Sequence, residues 1–335
     1  VENLKDSLDF SDIPRLDLAI AGLVVLALVV FPLFPHSSFA MSTVIQFLMF
    51  ASYGMGWNTI GGYGGQVELG LAQYLGIGAY ATMVSMIRWN TPFWISMPVG
   101  ALLAIAWCVI VGYAVFRLRG HYFAIATIAM SLVLKDIFGV WTFVGASRGL
   151  EIPTTRYTPP DFLHLVFIHD IFYYYIILAF FLIGLLYVNW FRKSRLGFQL
   201  RSIKDNEEVA RSLGINVHWA KIKTYAIAVT FVSVVGSYHA CYIKNIEPDD
   251  TMSLDISILI ALMAMLGGSG SLWGPIIGAG ILIPLKSYLK DWLGARAGLV
   301  GIDLVIYAGI IMFISAFEPR GVWGIVERVR RRKRA

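Results

Sequence analysis

The sequence predicts an all-α integral membrane protein of about ten transmembrane helices, with two glycine-rich helix breaks and one short cytoplasmic helix. Three observations carry this. Of 335 residues, 58% are hydrophobic and only 14% charged, where soluble domains carry roughly a quarter charged residues. The mean hydropathy is +0.70. The apolar residues fall into runs long enough to cross a bilayer, which takes about 20 residues per helix, and the basic clusters between those runs fall on one side of the membrane.

Runs bounded by Gly, Pro or charge place spans near residues 17–35, 40–60, 69–87, 93–116, 121–144, 168–191, 222–243, 254–272, 274–293 and 299–318. The segment 192–223 holds Arg192, Lys193, Arg195, Arg201, Lys204, Arg211, Lys221 and Lys223, and the positive-inside bias fixes it in the cytoplasm. Numbering outward from there puts Arg117, Arg119 and the basic tail inside as well, with both termini cytoplasmic. Arg148 and Arg156 fall in the long outer loop, 145–167, which also holds Pro153, Pro159 and Pro160 and is expected to pack over the outer mouth. The chain is thus one membrane domain over 1–335, with cytoplasmic segments 1–16, 192–221 and 319–335.

The net charge of +6 comes largely from the run Arg328-Val329-Arg330-Arg331-Arg332-Lys333-Arg334. A cytoplasmic tail beside membrane lipid accounts for it without nucleic acid. The start of the chain is polar and acidic and lacks the basic n-region of a cleaved signal peptide, so the first helix is expected to be retained. Cys108 and Cys241 lie far apart in apolar stretches and suggest packing. None of the six histidines has a metal-like partner at i+3 or i+4; His164 and His169 read as ordinary loop residues, and no metal site is expected.

Two stretches resist a continuous helical reading. Gly61-Gly62-Tyr63-Gly64-Gly65-Gln66-Val67-Glu68-Leu69-Gly70 follows the second span, and Gly267-Gly268-Ser269-Gly270-Ser271-Leu272-Trp273-Gly274-Pro275 follows the eighth. Each leads into a Gly/Ala-rich helix, and six spans separate them, so both lie on one side of the membrane and hint at a parallel internal duplication. Unwound backbone at membrane depth is tolerated only where protein or a polar cavity satisfies it, which makes Gly64, Gly65, Gln66, Glu68, Gly70, Gly267, Gly268 and Gly270 candidate pathway residues. Tight surface turns between closely packed helices are the competing reading.

Ionisable residues inside spans are costly. Glu68, Lys135, Asp136, Asp255, Lys286 and Asp303 lie near or within them. Lys135 and Asp136 are adjacent and suit local neutralisation or snorkelling; Asp255 and Asp303 lie at outer helix starts, where a carboxylate complements the dipole, and a capping role is expected of them. Glu68, just ahead of the third span, suits either helix capping or contact with a solute.

Between the sixth and seventh spans, Asp205 as N-cap with Glu208 three residues on, an apolar face of Val209, Ala210 and Leu213, and Gly214 as terminator predict a short amphipathic helix. Two turns of helix are unstable alone in water, so that face calls for a partner. No phosphate-binding G-x-x-x-x-G-K-[ST] loop occurs. The chain is therefore not an ATPase, and no serine, cysteine or metal constellation suggests an enzyme.

From about Gly61 to Gly324 the motifs occur in an order that resembles the LivM-type permeases of branched-chain amino acid (and urea or amide) ABC importers. They are Gly64-Gly65-Gln66 with Leu69-Gly70; Gly76-Ile77-Gly78-Ala79-Tyr80; Leu118-Arg119-Gly120 with Tyr122-Phe123-Ala124-Ile125; Gly149-Leu150 with Ile152-Pro153; Ser194-Arg195-Leu196-Gly197; Arg201-Ser202-Ile203; the stretch from Glu207 to Asn216; Leu266-Gly267-Gly268 with Gly270-Ser271-Leu272-Trp273-Gly274-Pro275; and Pro319-Arg320-Gly321. The resemblance implies a pore-forming permease of the bacterial inner membrane, importing amino acids or similar small polar solutes by alternating access. It also implies a second, LivH-like permease, two cytoplasmic ATPase subunits and a periplasmic solute-binding protein. ATP and Mg would sit on the partner subunits, with no cofactor on this chain. Asp205, Glu207, Glu208, Val209, Ala210, Leu213 and Gly214 match the family's ATPase-coupling helix. Where the family reads serine and histidine in the first break, this chain has Glu68 and Leu71, a departure that bears on the solute. An ion-coupled secondary transporter is the alternative class, and Glu68 is its one candidate titratable group.

Overall fold

The computed structural model describes residues 15–35, 37–118, 120–153, 157, 160–292, 309 and 322–324. The expected tenth span, Asp303, the motif Pro319-Arg320-Gly321, the basic tail, Arg119, Arg156 and Pro159 lie outside the described residues. The described chain is helical almost throughout. In order it forms α1 (Arg15–Val30), α2 (Ser38–Trp57), α3 (Ala72–Trp89), α4 (Phe93–Val115), α5 (His121–Val140), α6 (Asp170–Lys193), α7 (Arg195–Asp205), α8 (Glu207–Ser212), α9 (Val217–Ile243), α10 (Pro248–Thr251), α11 (Leu254–Gly268) and α12 (Gly274–Leu289).

Among the described residues six stretches are long and apolar enough to cross a membrane: Ser38–Gly62, Phe93–Val115, His121–Val140, Asp170–Lys193, Val217–Ile243 and Pro248–Gly268. These make the chain a multi-pass membrane protein. Three other expected spans are also helical but differ in kind. Among the described residues α1 has 16 residues and runs on into a 3-10 turn at Phe31–Leu33, and α12 has 16 and runs on into a π turn at 290–292. Each is about 24 Å of regular α-helix at 1.5 Å per residue, against a hydrocarbon core of ~30 Å. Helix α3 has 18 residues, 14 of them buried within the protein. It is rich in Gly, Ser, Thr and Tyr because it faces other helices and not lipid.

The 27-residue α9 is the central post, packed most extensively on α3 and α4, while α11 and α12 form a hairpin against α2. Small residues allow the α3–α9 approach, as expected where helices associate without a solvent-driven hydrophobic effect. The Ser237 hydroxyl donates to the Gly78 carbonyl at 3.1 Å, and a side chain at Gly236 would collide with the backbone of Leu75.

The ends of the bundle differ. At one end the loop 145–167 is stitched down: β1 (Leu150–Glu151) pairs antiparallel with β2 (Asn245–Ile246), Trp94 Nε1 donates to the Phe162 carbonyl at 3.0 Å, and Arg88 donates to the Phe143 carbonyl at 2.9 Å. Partial burial pushes the Asp161 carboxyl up, but hydrogen bonds from His164 and Leu163 outweigh it and hold the group below the usual carboxylate range. His164 thus serves the loop, as a loop residue should. Lys135 pairs with Asp249 at 2.9 Å and not with the adjacent Asp136, because neighbouring residues on a helix point about 100° apart. Asp255 stands exposed in the first turn of α11, where it complements the helix dipole, but the capping role expected of it is corrected: Ser253 is the cap, accepting from Ile256 N. Cys108 and Cys241 are buried free thiols.

At the other end lie α7 and α8. Ser194 caps α7 through the Gly197 N–H at 3.1 Å, and α7 lays Leu200 and Ile203 onto the bundle. The expected N-cap at Asp205 is corrected here. Asp205 is the last residue of α7, and Asn206, extended at φ −158° and ψ 111°, caps α8 by accepting from the N–H groups of Glu208 and Val209. The amphipathic run 195–205 forms its own helix, which carries the boundary one residue further along.

Candidate functional site

The site is built from the two helix breaks and the α7–α8 segment beneath them. Helix α2 widens into a single π turn at Asn58–Gly62, a feature common at functional positions. The chain then leaves helical geometry over 65–71 before α3 begins at Ala72. Gly64 rests on Leu200 and Gly65 on the stem of Lys204, so this part of the break lies at the α7 end. The segment then climbs into the bundle. Leu69 N donates to Thr127 Oγ1 at 3.3 Å and Ala72 N to Ser257 Oγ at 2.9 Å. Thr127 lies six residues into α5, a depth of about 9 Å, and Ser257 lies eleven residues from the Gly268 end of α11, about 16 Å. Helix α3 therefore starts well inside the bundle.

The second break is a compact turn. Ser271 Oγ donates to the Gly268 carbonyl and accepts from Gly274 N, each at 2.8 Å, and Gly270 turns the chain at φ 80°.

The two breaks meet. Asn58, with no solvent exposure, donates from Nδ2 to the Ser271 carbonyl at 2.8 Å and accepts at Oδ1 from Gly270 N at 2.7 Å. Gly62 lies between them, and a Cβ there would collide with the Asn58 amide and with Gly270 N. Lys204 Nζ donates to the Gly62 carbonyl at 2.8 Å. This brings the expected candidates Gly64, Gly65 and Gly270 to one junction, with Gly268 in the same turn as Gly270, around Gly62, which is not among the candidates. Gly267 packs against the start of α12, where a side chain would collide with the Gly274 carbonyl. Gln66 is half-buried.

Glu68 is not part of that junction. It lies further up the extended segment, 1% exposed. Its Oε1 accepts from Gly70 N at 2.9 Å, its Oε2 accepts from the Tyr225 hydroxyl at 3.4 Å, and its backbone carbonyl accepts from Trp57 Nε1 at 2.7 Å. Its carboxylate thus satisfies the Gly70 N–H of the extended segment and does not cap α3, whose N-cap is Leu71 with no side-chain bond; it is closed off from both faces in this conformation. Gly70 presses on the Thr127 carbonyl so closely that no Cβ fits. Beside it, Gln73 Oε1 accepts from Trp107 Nε1 at 2.7 Å.

The residues expected for partner coupling separate into two groups. Val209 is 52% and Leu213 74% exposed, with Glu208 and Gly214 also exposed. Ala210 is buried against the bundle. Glu207 anchors the turn, accepting from Arg211 at 2.7 Å and from the buried Lys221 at 3.3 Å. An apolar pair therefore stands free on a helix that is itself held fast.

Sequence reasoning missed Asn58, Lys204, Thr127, Ser257 and Trp57. Asn58 carried a usable signal: an amide inside an apolar span must find partners or pay for desolvation. The others are distant hydroxyl, ammonium and indole donors or acceptors with no mark in the local sequence. Among the described residues no group of His, Cys, Asp and Glu is placed to hold a metal ion.

Comparison with known proteins agrees with this architecture. The family model described as "Branched-chain amino acid transport system / permease component" matches residues 39–315. The high-affinity branched-chain amino acid transport system permease protein LivM of Escherichia coli (strain K12) is 24% identical over 82% of this chain and 68% of its own. The ribose import permease protein RbsC of the same strain is 24% identical over 56% of this chain and 61% of its own. The autoinducer 2 import system permease protein LsrC of Salmonella paratyphi B (strain ATCC BAA-1250 / SPB7) is 25% identical over 55% and 54%. No solved structure matches.

Proposed function

We propose, from the premise that this chain belongs to the family of branched-chain amino acid transport system permease components, that it forms one half of the pore of an ATP-driven importer for branched-chain or similar amino acids. It is a transport subunit and not an enzyme. The observation that carries the reading is the placement of α8. A capped helix with an exposed Val209 and Leu213, anchored through Glu207, follows α7 by a single residue, and α7 holds Lys204 against the junction of the two helix breaks. Such a helix suits a soluble partner that pushes. In this reading the partners are two ATPase subunits carrying ATP and Mg, with a second permease and a periplasmic solute-binding protein completing the transporter in a bacterial inner membrane.

The finer architecture belongs to the same proposal. The chain crosses the membrane about ten times as a single domain, with α7, α8 and both termini in the cytoplasm. Closure of the ATPase pair rocks the helices on either side of the breaks, and the pathway passes the segment that holds Gly64, Gly65, Gln66, Glu68 and Gly70 and the turn that holds Gly267, Gly268 and Gly270. The amino acid label rests on LivM, while the relatives named for ribose and autoinducer 2 widen the range of solutes to test. Purification of the tagged chain should bring down two ATPases and a second permease. Leu213→Lys should leave basal ATP hydrolysis in place and abolish its stimulation by the binding protein; normal stimulation would remove α8 from the ATPase interface.

One observation favours a second reading. Glu68 is a buried carboxylate about 10 Å into the bundle, the kind of group an ion-coupled secondary transporter requires. Uptake that survives ATP depletion and collapses with an ionophore would select it.

A further inference from the structure

The geometry points to Lys204 and Asn58 as the link that carries movement of α8 into both helix breaks; we propose them as positioning residues of the transport cycle. The inference rests on the reading of α8 as the ATPase contact and adds how its motion leaves the surface.

The Gly62 carbonyl belongs to the last turn of the widened α2, where carbonyls lack partners within the helix. Lys204 supplies one from another element, at 2.8 Å, and a cation at a helix C-terminus also meets the negative end of its dipole. The same Nζ lies 3.9 Å from where a Cβ of Gly270 would stand, and the Lys204 stem covers Gly65. One side chain thus rests on both breaks.

Asn58 makes those breaks a single body. Its amide is fully buried, and both of its functions are spent on the second break, on Gly270 N at 2.7 Å and the Ser271 carbonyl at 2.8 Å. Slack at this junction is small, because the space at Gly62 is filled by the Asn58 amide and the Gly270 backbone. On the other side, Lys204 is two residues before the cap of α8. Asn206 N donates to the Ser202 carbonyl at 3.1 Å while its side chain holds Glu208 N and Val209 N. A single residue separates α7 from α8, so displacement of α8 reaches Lys204 through short, hydrogen-bonded backbone.

Local hydrogen-bond filling is the competing explanation, and the two differ in what happens on nucleotide binding. The test uses the complete transporter in liposomes, with spin labels at Ser212→Cys, exposed on α8 outside the coupling set, or Ser269→Cys in the second break. Each is measured against a label at Glu151→Cys at the far end. Cys108 and Cys241 are buried and stay unlabelled. With ATP and vanadate, both distances shift in the otherwise unmodified chain. Lys204→Met keeps the apolar stem and removes the charge. It should leave the Ser212 shift intact and lower the shifted population at Ser269 about tenfold, the scale of one hydrogen bond to a charged group. Lys204→Arg should restore it. Asn58→Asp, which retains the bond from Gly270 N and loses the donation to Ser271, should weaken the Ser269 shift while a label at Gln66→Cys in the first break still responds. An unchanged Ser269 shift in Lys204→Met overturns the inference, as does a reduced yield of assembled transporter with the shift preserved. If the Ser212 distance fails to move even without these changes, the ATPase contact at α8 is wrong and the link falls with it.

Discussion

The two helix breaks share a composition and solve different problems. The second closes on itself: one hydroxyl, Ser271 Oγ, serves the Gly268 carbonyl and the Gly274 N–H within a few residues. The first cannot, because 65–71 runs as non-helical chain into the bundle. Within it, Trp57 on α2 meets the Glu68 carbonyl and Thr127 on α5 the Leu69 N–H, while its two flanks are met by Ser257 on α11 at Ala72 and, beneath, by Lys204 on α7 at Gly62. One break is a hinge of local construction and the other is a thread held by the whole bundle. Irregular backbone at membrane depth survives only where protein satisfies it, and here the deeper break is the one that needs more of the fold.

That difference predicts unequal sensitivity. The largest effect is expected at Gly70, where a Cβ would collide with the Thr127 carbonyl; backbone cannot yield as a flexible side chain can. Gly70→Ala should cost about 3 kcal/mol or more, seen as loss of folded protein or a sharp fall in the thermal midpoint of the detergent-solubilised chain. If it is tolerated, the first break is not a tightly held thread. Ser257→Ala is next. It strands the Ala72 N–H, with both residues wholly buried, and an orphaned buried donor costs about 1–3 kcal/mol. Thermal unfolding of the variant should report that loss without a change in helix content.

What the sequence reveals follows the same line. Segments whose partners are their neighbours or the lipid are legible: the apolar α4, α5 and α6, the terminator Gly214, the dipole-facing Asp255. Helix α3 was legible as helix, but its burial shows only as an excess of Gly and hydroxyl residues. The failure at Asp205 is local competition, since Asp205 and Asn206 are both good caps and the choice was made by α7, whose two inward residues, Leu200 and Ile203, are too few to mark it as a helix apart from the coupling segment. Both breaks were visible as glycine runs. Their junction was not, because the residues that join them lie more than 140 positions apart, as Gly62 and Lys204 do, and no local pattern records which polar group answers which.

The smallest effect tests the other half of the contrast. Ser271→Ala removes two hydrogen bonds at once, yet the expected cost is only about 1 kcal/mol. The turn sits at the α7 end, where Ser269 is exposed and Ser271 half-buried; although Gly268 and Gly274 are themselves buried, a water entering the space left by the Ser271 hydroxyl can serve both groups, as it cannot at Ala72. Gly270 N and the Ser271 carbonyl also remain pinned by Asn58. A loss as large as that of Ser257→Ala would mean that the second turn is dry, that it too depends on the bundle, and that the two breaks are held by one rule and not two.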